Sequence, residues 1–103
     1  VTHKLIPLTE AEALLRAAGA EVWRGNTRLF ARKDYEDPPG VKRRLTEHMA
    51  YLDNTNEHVD EAEVLRSCCK LREVFTPAER RLWDRAAVET GAMDVAEYVK
   101  RYG

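Results

Sequence analysis

A chain of 103 residues suffices for one domain and leaves little for separate modules, so a single domain over residues 1–103 is expected. Its 44% hydrophobic and 34% charged residues indicate a folded, well-solvated chain and argue against disorder, while 17 Lys and Arg against 18 Asp and Glu leave a net charge of only −1. No apolar run approaches the roughly 20 residues of a membrane span, and the start VTHKLIPLTE lacks the basic-then-apolar layout of a leader, so a cytoplasmic protein with no membrane partner is expected.

Along the chain, residues 3–8 form a short apolar piece containing Pro7, suited to an edge strand. Thr9 and Glu12 have the spacing of a capping box, Ala11, Leu14, Leu15 and Ala18 form an inner stripe, and Gly19 is placed to stop that helix. A hairpin is expected over Ala20 to Lys33, turning at Gly25 and Asn26, with Arg24 opposite Thr27, Trp23 opposite Arg28 and Val22 opposite Leu29. That register places Val22, Leu29 and Ala31 on the core side. The other face carries Trp23, Arg28, Phe30 and Arg32, aromatic rings interleaved with guanidinium groups. Such a face can stack unpaired bases while its cations hold phosphates. It can equally pack beneath later helices, and in a domain this small packing is the expectation.

The run DYEDPPG, Asp34 to Gly40, breaks regular structure and reads as the joint between a mixed front, residues 1–33, and a helical remainder, residues 41–103. Val41, Leu45, Met49 and Leu52 recur at helical spacing, with Lys42, Arg43 and Arg44 in the first turn, where cations oppose the helix dipole and point to an anionic partner or to the acidic stretch downstream. Residues 53–56, Asp-Asn-Thr-Asn, end this helix and cap the next. The central helix is expected over Asn56 to Phe75, with one apolar row of Ala62, Leu65 and Cys69 and another of Val64, Cys68, Leu71 and Phe75. The only cysteines, Cys68 and Cys69, are adjacent and offer no metal or redox spacing, so reduced core thiols are expected. Thr76, Pro77 and Glu79 start a further helix whose buried side is Ala78, Leu82, Trp83, Ala86 and Ala87, closed by Gly91. Asp94 and Glu97 start a last one striped by Val95, Tyr98, Val99 and Tyr102. The fold class is therefore α+β: a small antiparallel hairpin at the front and four to five helices behind it.

Charge is unevenly spread. From Val22 to Arg44 the chain is basic, carrying Arg24, Arg28, Arg32, Lys33, Lys42, Arg43 and Arg44; from Leu45 to Leu65 it carries Glu47, Asp53, Glu57, Asp60, Glu61 and Glu63 with no Lys or Arg. The two stretches either face and partly neutralise one another or form two poles, one of which meets a charged partner.

Residues 76–103 resemble the helical part of ribbon-helix-helix DNA-binding proteins of the mobilisation-accessory and antitoxin kind, through Thr76, Pro77, Glu79, Leu82, Ala86, Ala87, Gly91, Glu97, Tyr98 and Val99. The resemblance implies a dimer and a strand before the first helix that reads the major groove, with Lys70, Arg72 and Val74 toward bases. The helix and hairpin at the front also resemble small messenger-RNA-cleaving toxins of the double-stranded-RNA-binding shape. Where those carry a histidine on the hairpin this chain has Asn26 and Thr27, so their activity is not carried over.

Catalytic constellations are thin. Ser67 is the only serine and has no evident base, the histidines at 3, 48 and 58 lack metal-site spacing, and the glycines lie singly, so no enzyme activity, metal or cofactor is expected. The expected function is non-enzymatic: a small regulatory or inhibitory protein, of the kind phages and mobile elements encode, docking on a larger protein or nucleoprotein. Its acidic face, Glu47, Glu57, Asp60, Glu61 and Glu63, would occupy a nucleic-acid-binding groove. The alternative is direct DNA or RNA binding through Trp23, Arg28, Arg32 and Lys42 to Arg44, or through Lys70 and Arg72 of the ribbon-like segment, as a homodimer in that case.

Overall fold

A computed structural model describes residues 4–52 and 57–103. The described residues form an α+β fold in the order β1 (Leu5–Pro7), α1 (Leu8–Ala17), β2 (Glu21–Arg24), β3 (Arg28–Glu36), β4 (Lys42–Ala50), β5 (His58–Asp60), α2 (Glu61–Arg72), α3 (Pro77–Glu89) and α4 (Val95–Tyr102). Strands β2, β3 and β4 make an antiparallel sheet in that order, and β1 pairs with β5 in a separate two-stranded ribbon, Ile6 opposite Val59. Helices α1 and α2 pack together on one face of the larger sheet and bury Ile6, Leu8, Ala11, Leu15, Leu29, Ala31, Met49, Val59, Val64, Cys68 and Leu71. The opposite sheet face is open.

Helix α1 keeps its expected stripe, and Gly19 takes φ +93°, the left-handed conformation that ends it. The capping box does not form: the helix begins at Leu8, one residue before Thr9, with Pro7 at the cap position and the Leu8 amide donating to the Glu57 carbonyl at 2.9 Å. Glu12 is thereby released to take Arg24 across to β2, at 2.6 Å, and Arg16 one turn on, at 3.4 Å. The expected cap at residues 53–56, and His3 at the start of the expected edge strand, lie outside the described residues.

The hairpin forms with a different register. Arg24 lies opposite Leu29, Trp23 opposite Phe30 and Val22 opposite Ala31, and the Gly25 amide donates to the Arg28 carbonyl at 2.8 Å, so the turn is Asn26 and Thr27. Each residue gains a partner two positions further along, and because side chains alternate with period two, the faces are unchanged. Gly25 is placed where it is needed: a Cβ there would meet Phe30 Cε2 at 2.6 Å and the Arg28 carbonyl oxygen at 3.0 Å.

The expected helix over Val41 to Leu52 is instead strand β4. A spacing of four residues, Leu45 to Met49, satisfies the period of a strand as well as that of a helix. Nine consecutive pairs with β3, from Arg28 opposite Ala50 to Glu36 opposite Lys42, decide between them. The segment DYEDPPG is accordingly no joint between halves: its first three residues end β3, and the rest make the β3–β4 turn, closed by Asp37 and Val41, with Gly40 at φ +91°. Helix α2 is shorter than expected at its start, since His58–Asp60 forms β5, and the Asp60 carboxylate caps it through the Ala62 amide at 3.1 Å. Val64, Cys68 and Leu71 are buried, whereas Leu65 and Cys69 are exposed, so only one of the two expected apolar rows meets the core.

The capping box of α3 forms as expected: Thr76 Oγ1 accepts from the Glu79 amide and the Glu79 carboxylate accepts from the Thr76 amide, both at 3.2 Å. The helix does not bury the expected side. Leu82 is 67% and Trp83 62% exposed, and the buried residue of α3 is Asp84. The reason is placement: α3 touches the rest of the fold near its start and then runs beyond the sheet with α4 folded against it. The radius of gyration of 17.2 Å, against about 13 Å for a compact chain of this length, and the 57 × 24 × 20 Å dimensions record this arm. Among the described residues no helix is long and apolar enough to cross a membrane.

Candidate nucleic-acid interface

Sheet alternation and cross-strand pairing assemble the open face. Trp23 on β2, Phe30 on β3 and His48 on β4 are successive neighbours across the three strands. The Trp23 and Phe30 rings lie nearly parallel, 8° apart with centroids at 5.3 Å, and the His48 ring is tilted against Phe30 at 6.2 Å. Trp23 is 41% exposed, so the aromatic pair expected to pack beneath later helices instead faces solvent, because all the helices that cover the sheet lie on its other side. Arg32 stands 5.6 Å from the Trp23 ring centroid and Arg28 Nη1 lies 3.0 Å from His48 Nδ1. The row is therefore flanked by guanidinium groups on both sides, the arrangement that stacks bases and meets phosphates.

Further along the face the cations are matched by acids. Arg32 donates to Glu21 at 2.5 Å and Arg44 to Asp34 at 2.7 Å, and the Arg44 guanidinium, first by hydrogen bonding, holds the Asp34 carboxyl below its ordinary range. Lys42 shares this face. Arg43 points to the other side and its Nε donates to the Asp37 carbonyl at 2.6 Å. Among the described residues the basic stretch forms ion pairs with Glu12, Glu21, Asp34 and Glu79, and Arg24 also feels the Glu57 charge.

The acidic residues do not gather into one face. Glu47 lies on the inner side of β4, taking Lys70 at 3.4 Å and the Ser67 hydroxyl at 3.3 Å. Asp60 caps α2 and is 7% exposed, while Glu61 pairs with Lys4 at 3.2 Å. Glu63 is half-buried beside Ser67 and Lys70, and Glu57 is exposed next to β5. Lys70 and Arg72 occupy the last turn of α2 instead of a strand, with Val74 in the short connection to α3.

A second surface lies on the arm, on residues whose helical spacing predicts burial. Leu82, Trp83, Val95 and Val99 are each more than half exposed, and Ala78, Leu82 and Tyr98 floor a groove of about 370 Å³ bordered by Arg81 and Arg85. The arm is held together from within: Asp84, 4% exposed, accepts from Tyr102 Oη at 2.5 Å and Arg101 Nη1 at 3.1 Å. Among the described residues no cluster of His, Cys, Asp or Glu has metal-holding geometry. Cys68 is buried, and burial pushes its thiol above the ordinary range, the opposite of an activated nucleophile.

No family model matches the chain, and no characterised protein or solved structure matches it either.

Proposed function

We propose that the protein is a non-enzymatic, regulatory binding protein whose open sheet face engages single-stranded nucleic acid. The observation that supports it is the row Trp23, Phe30 and His48 across all three strands, its outer members exposed and Phe30 half-buried between them, flanked by Arg28 and Arg32. A base laid on the outer face of Trp23 extends a stack that already exists, at little cost in ordering the protein. Because Arg32 and Arg44 are already paired, only one or two phosphates are neutralised, and stacking supplies most of the affinity.

Fluorescence anisotropy with labelled single-stranded RNA and DNA tests this. Micromolar binding, weaker on duplex, is expected, with a shallow salt dependence. Trp23→Ala and Phe30→Ala should each weaken it by about 1–3 kcal/mol, the usual worth of one stacked base. No binding at low salt, or unchanged binding by Trp23→Ala, overturns the proposal.

The arm favours a second reading, docking on a larger protein. Its groove has an apolar floor and two arginines on its border, which suits an amphipathic segment carrying carboxylates. In that case capture of a partner from host lysate is lost with Leu82→Asp and Arg85→Glu and retained with Trp23→Ala.

A further inference from the structure

The edge of β4 carries an inference that is independent of what the sheet face binds. The hydrogen bonds from the Asp37 amide to the Val41 carbonyl at 3.0 Å and from the Tyr51 amide to the Thr27 carbonyl at 3.2 Å bracket the β3–β4 ladder. They fix its phase: odd-numbered residues of β4 turn their amides and carbonyls toward β3. The even-numbered ones, Lys42, Arg44, Thr46, His48 and Ala50, therefore direct theirs outward, and none of these groups has a hydrogen-bond partner among the described residues. The other long stretch of open edge is treated differently. Where β3 outruns β2, the Glu36 amide donates to the Phe75 carbonyl at 3.0 Å and the Glu36 carbonyl accepts from Arg80 at 3.1 Å. That overhang is met by the α2–α3 connection and α3, whereas β4 is left as an open template from Lys42 to His48, up to where the Leu52 amide donates to the His58 carbonyl at 3.2 Å.

We propose that β4 pairs antiparallel with β4 of a second copy of this chain about a two-fold axis normal to the sheet, with Leu45 opposite its twin. The phase of the ladder then makes Arg44 with Thr46, and Lys42 with His48, the hydrogen-bonded pairs. Leu45 with Leu45, and Arg43 with Glu47 twice over, become the closer pairs on the inner face. Each of the last two groups has capacity to spare. Glu47 uses Oε1 for both Ser67 and Lys70, leaving Oε2, and Arg43 uses Nε for the Asp37 carbonyl, leaving its two terminal nitrogens. A step of one residue in the centre, to Thr46, sets Leu45 against Glu47 and Arg43 against Met49, and a further step sets Glu47 against itself. Charge complementarity selects the Leu45 register. The result is one six-stranded sheet with both open faces on the same side.

Sedimentation of the full chain from micromolar to millimolar concentration, without nucleic acid, should show a dimer, and Thr46→Pro should abolish it. Proline at 46 removes only an outward amide, so the ladder to β3 and the circular dichroism spectrum are expected to persist. Leu45→Cys in a Cys69→Ala background should form a disulfide-linked dimer on mild oxidation, since closer antiparallel pairs hold Cα atoms about 4.5 Å apart, within disulfide range. This readout stands even if the proline variant fails to fold. A monomer throughout, a dimer surviving Thr46→Pro, or cross-linking through Leu82→Cys on the arm in place of Leu45→Cys overturns the proposal.

Discussion

Lys33 Nζ, at the end of a side chain that is only 1% exposed, lies 3.1 Å from Glu79 Oε1 and 3.0 Å from the Leu71 carbonyl oxygen, joining the central strand to the end of α2 and the first turn of α3. Lys33 stands on the inner face of β3, in line with Leu29 and Ala31, where an apolar residue would otherwise belong. The helix-end carbonyl accepts from it and the Glu79 carboxylate faces it, which offsets the cost of burying a polar group there. Lys33→Ala should cost about 2–3 kcal/mol in urea unfolding, since it leaves the Leu71 carbonyl without this donor and Glu79 without its cation. Small-angle scattering should also report a changed arm orientation, an effect that simple loss of core stability does not produce.

Acid should loosen the same junction. Burial raises the Glu79 carboxyl, but hydrogen bonds from Thr76 and Lys33 together with the Lys33 charge outweigh it and hold the group below its ordinary value of 4.5. A carboxyl depressed in the folded state contributes stability above its unfolded pKa and loses it as pH falls through the folded one. The contribution is therefore complete at neutral pH and declines below about pH 4.5. Glu79→Gln should flatten this part of the stability profile, measured by denaturant unfolding at a series of pH values.

Alkali should act on the arm. Burial, followed by the hydrogen bond to Asp84, pushes Tyr102 up to about 12 from 10.0. A raised pKa contributes stability in full below the unfolded value and loses it as pH rises through the folded one, so the arm should weaken between pH 10 and about 12. Spectrophotometric titration should show an ionisation at about 12 that Tyr102→Phe removes. Asp84→Ala, which takes the acceptor from both Tyr102 and Arg101, should cost about 1–3 kcal/mol.

The aromatic row depends on the absence of a side chain at residue 25. Gly25→Ala should displace the Phe30 ring, which a Cβ would approach to 2.6 Å, and so disturb the Trp23 stack. A changed near-ultraviolet circular dichroism signal, with loss of stability of about 1 kcal/mol, is expected. Single-stranded nucleic acid affinity should fall with it, while Gly40→Ala, which strains the β3–β4 turn at φ +91° but whose Cβ meets no other atom, should leave the Trp23 signal unchanged.

Local rules made much of this fold legible. The stripe of α1, the stop at Gly19, the two faces of the β2–β3 hairpin and the capping box at Thr76 all depend on residues within a few positions of one another, and each is present. The composition of the candidate face, Trp23 and Phe30 with Arg28 and Arg32, followed from alternation alone and survived a change of register because the change was by an even step.

Whether that face is open was a matter for the tertiary structure, since it depends on which side of the sheet α1 and α2 choose. The same holds for β4, whose apolar residues suit a helix until the nine-residue length of β3 supplies a partner. Burial of Lys33 and Asp84 and exposure of Leu82 and Trp83 invert what residue type alone suggests. A buried charge is settled by partners far away in the chain, and an apolar stripe buries only where another element reaches it. Sequence by itself therefore determined the elements whose stabilising contacts are near in the chain. The surfaces available to partners were decided by contacts between segments that only the folded chain brings together.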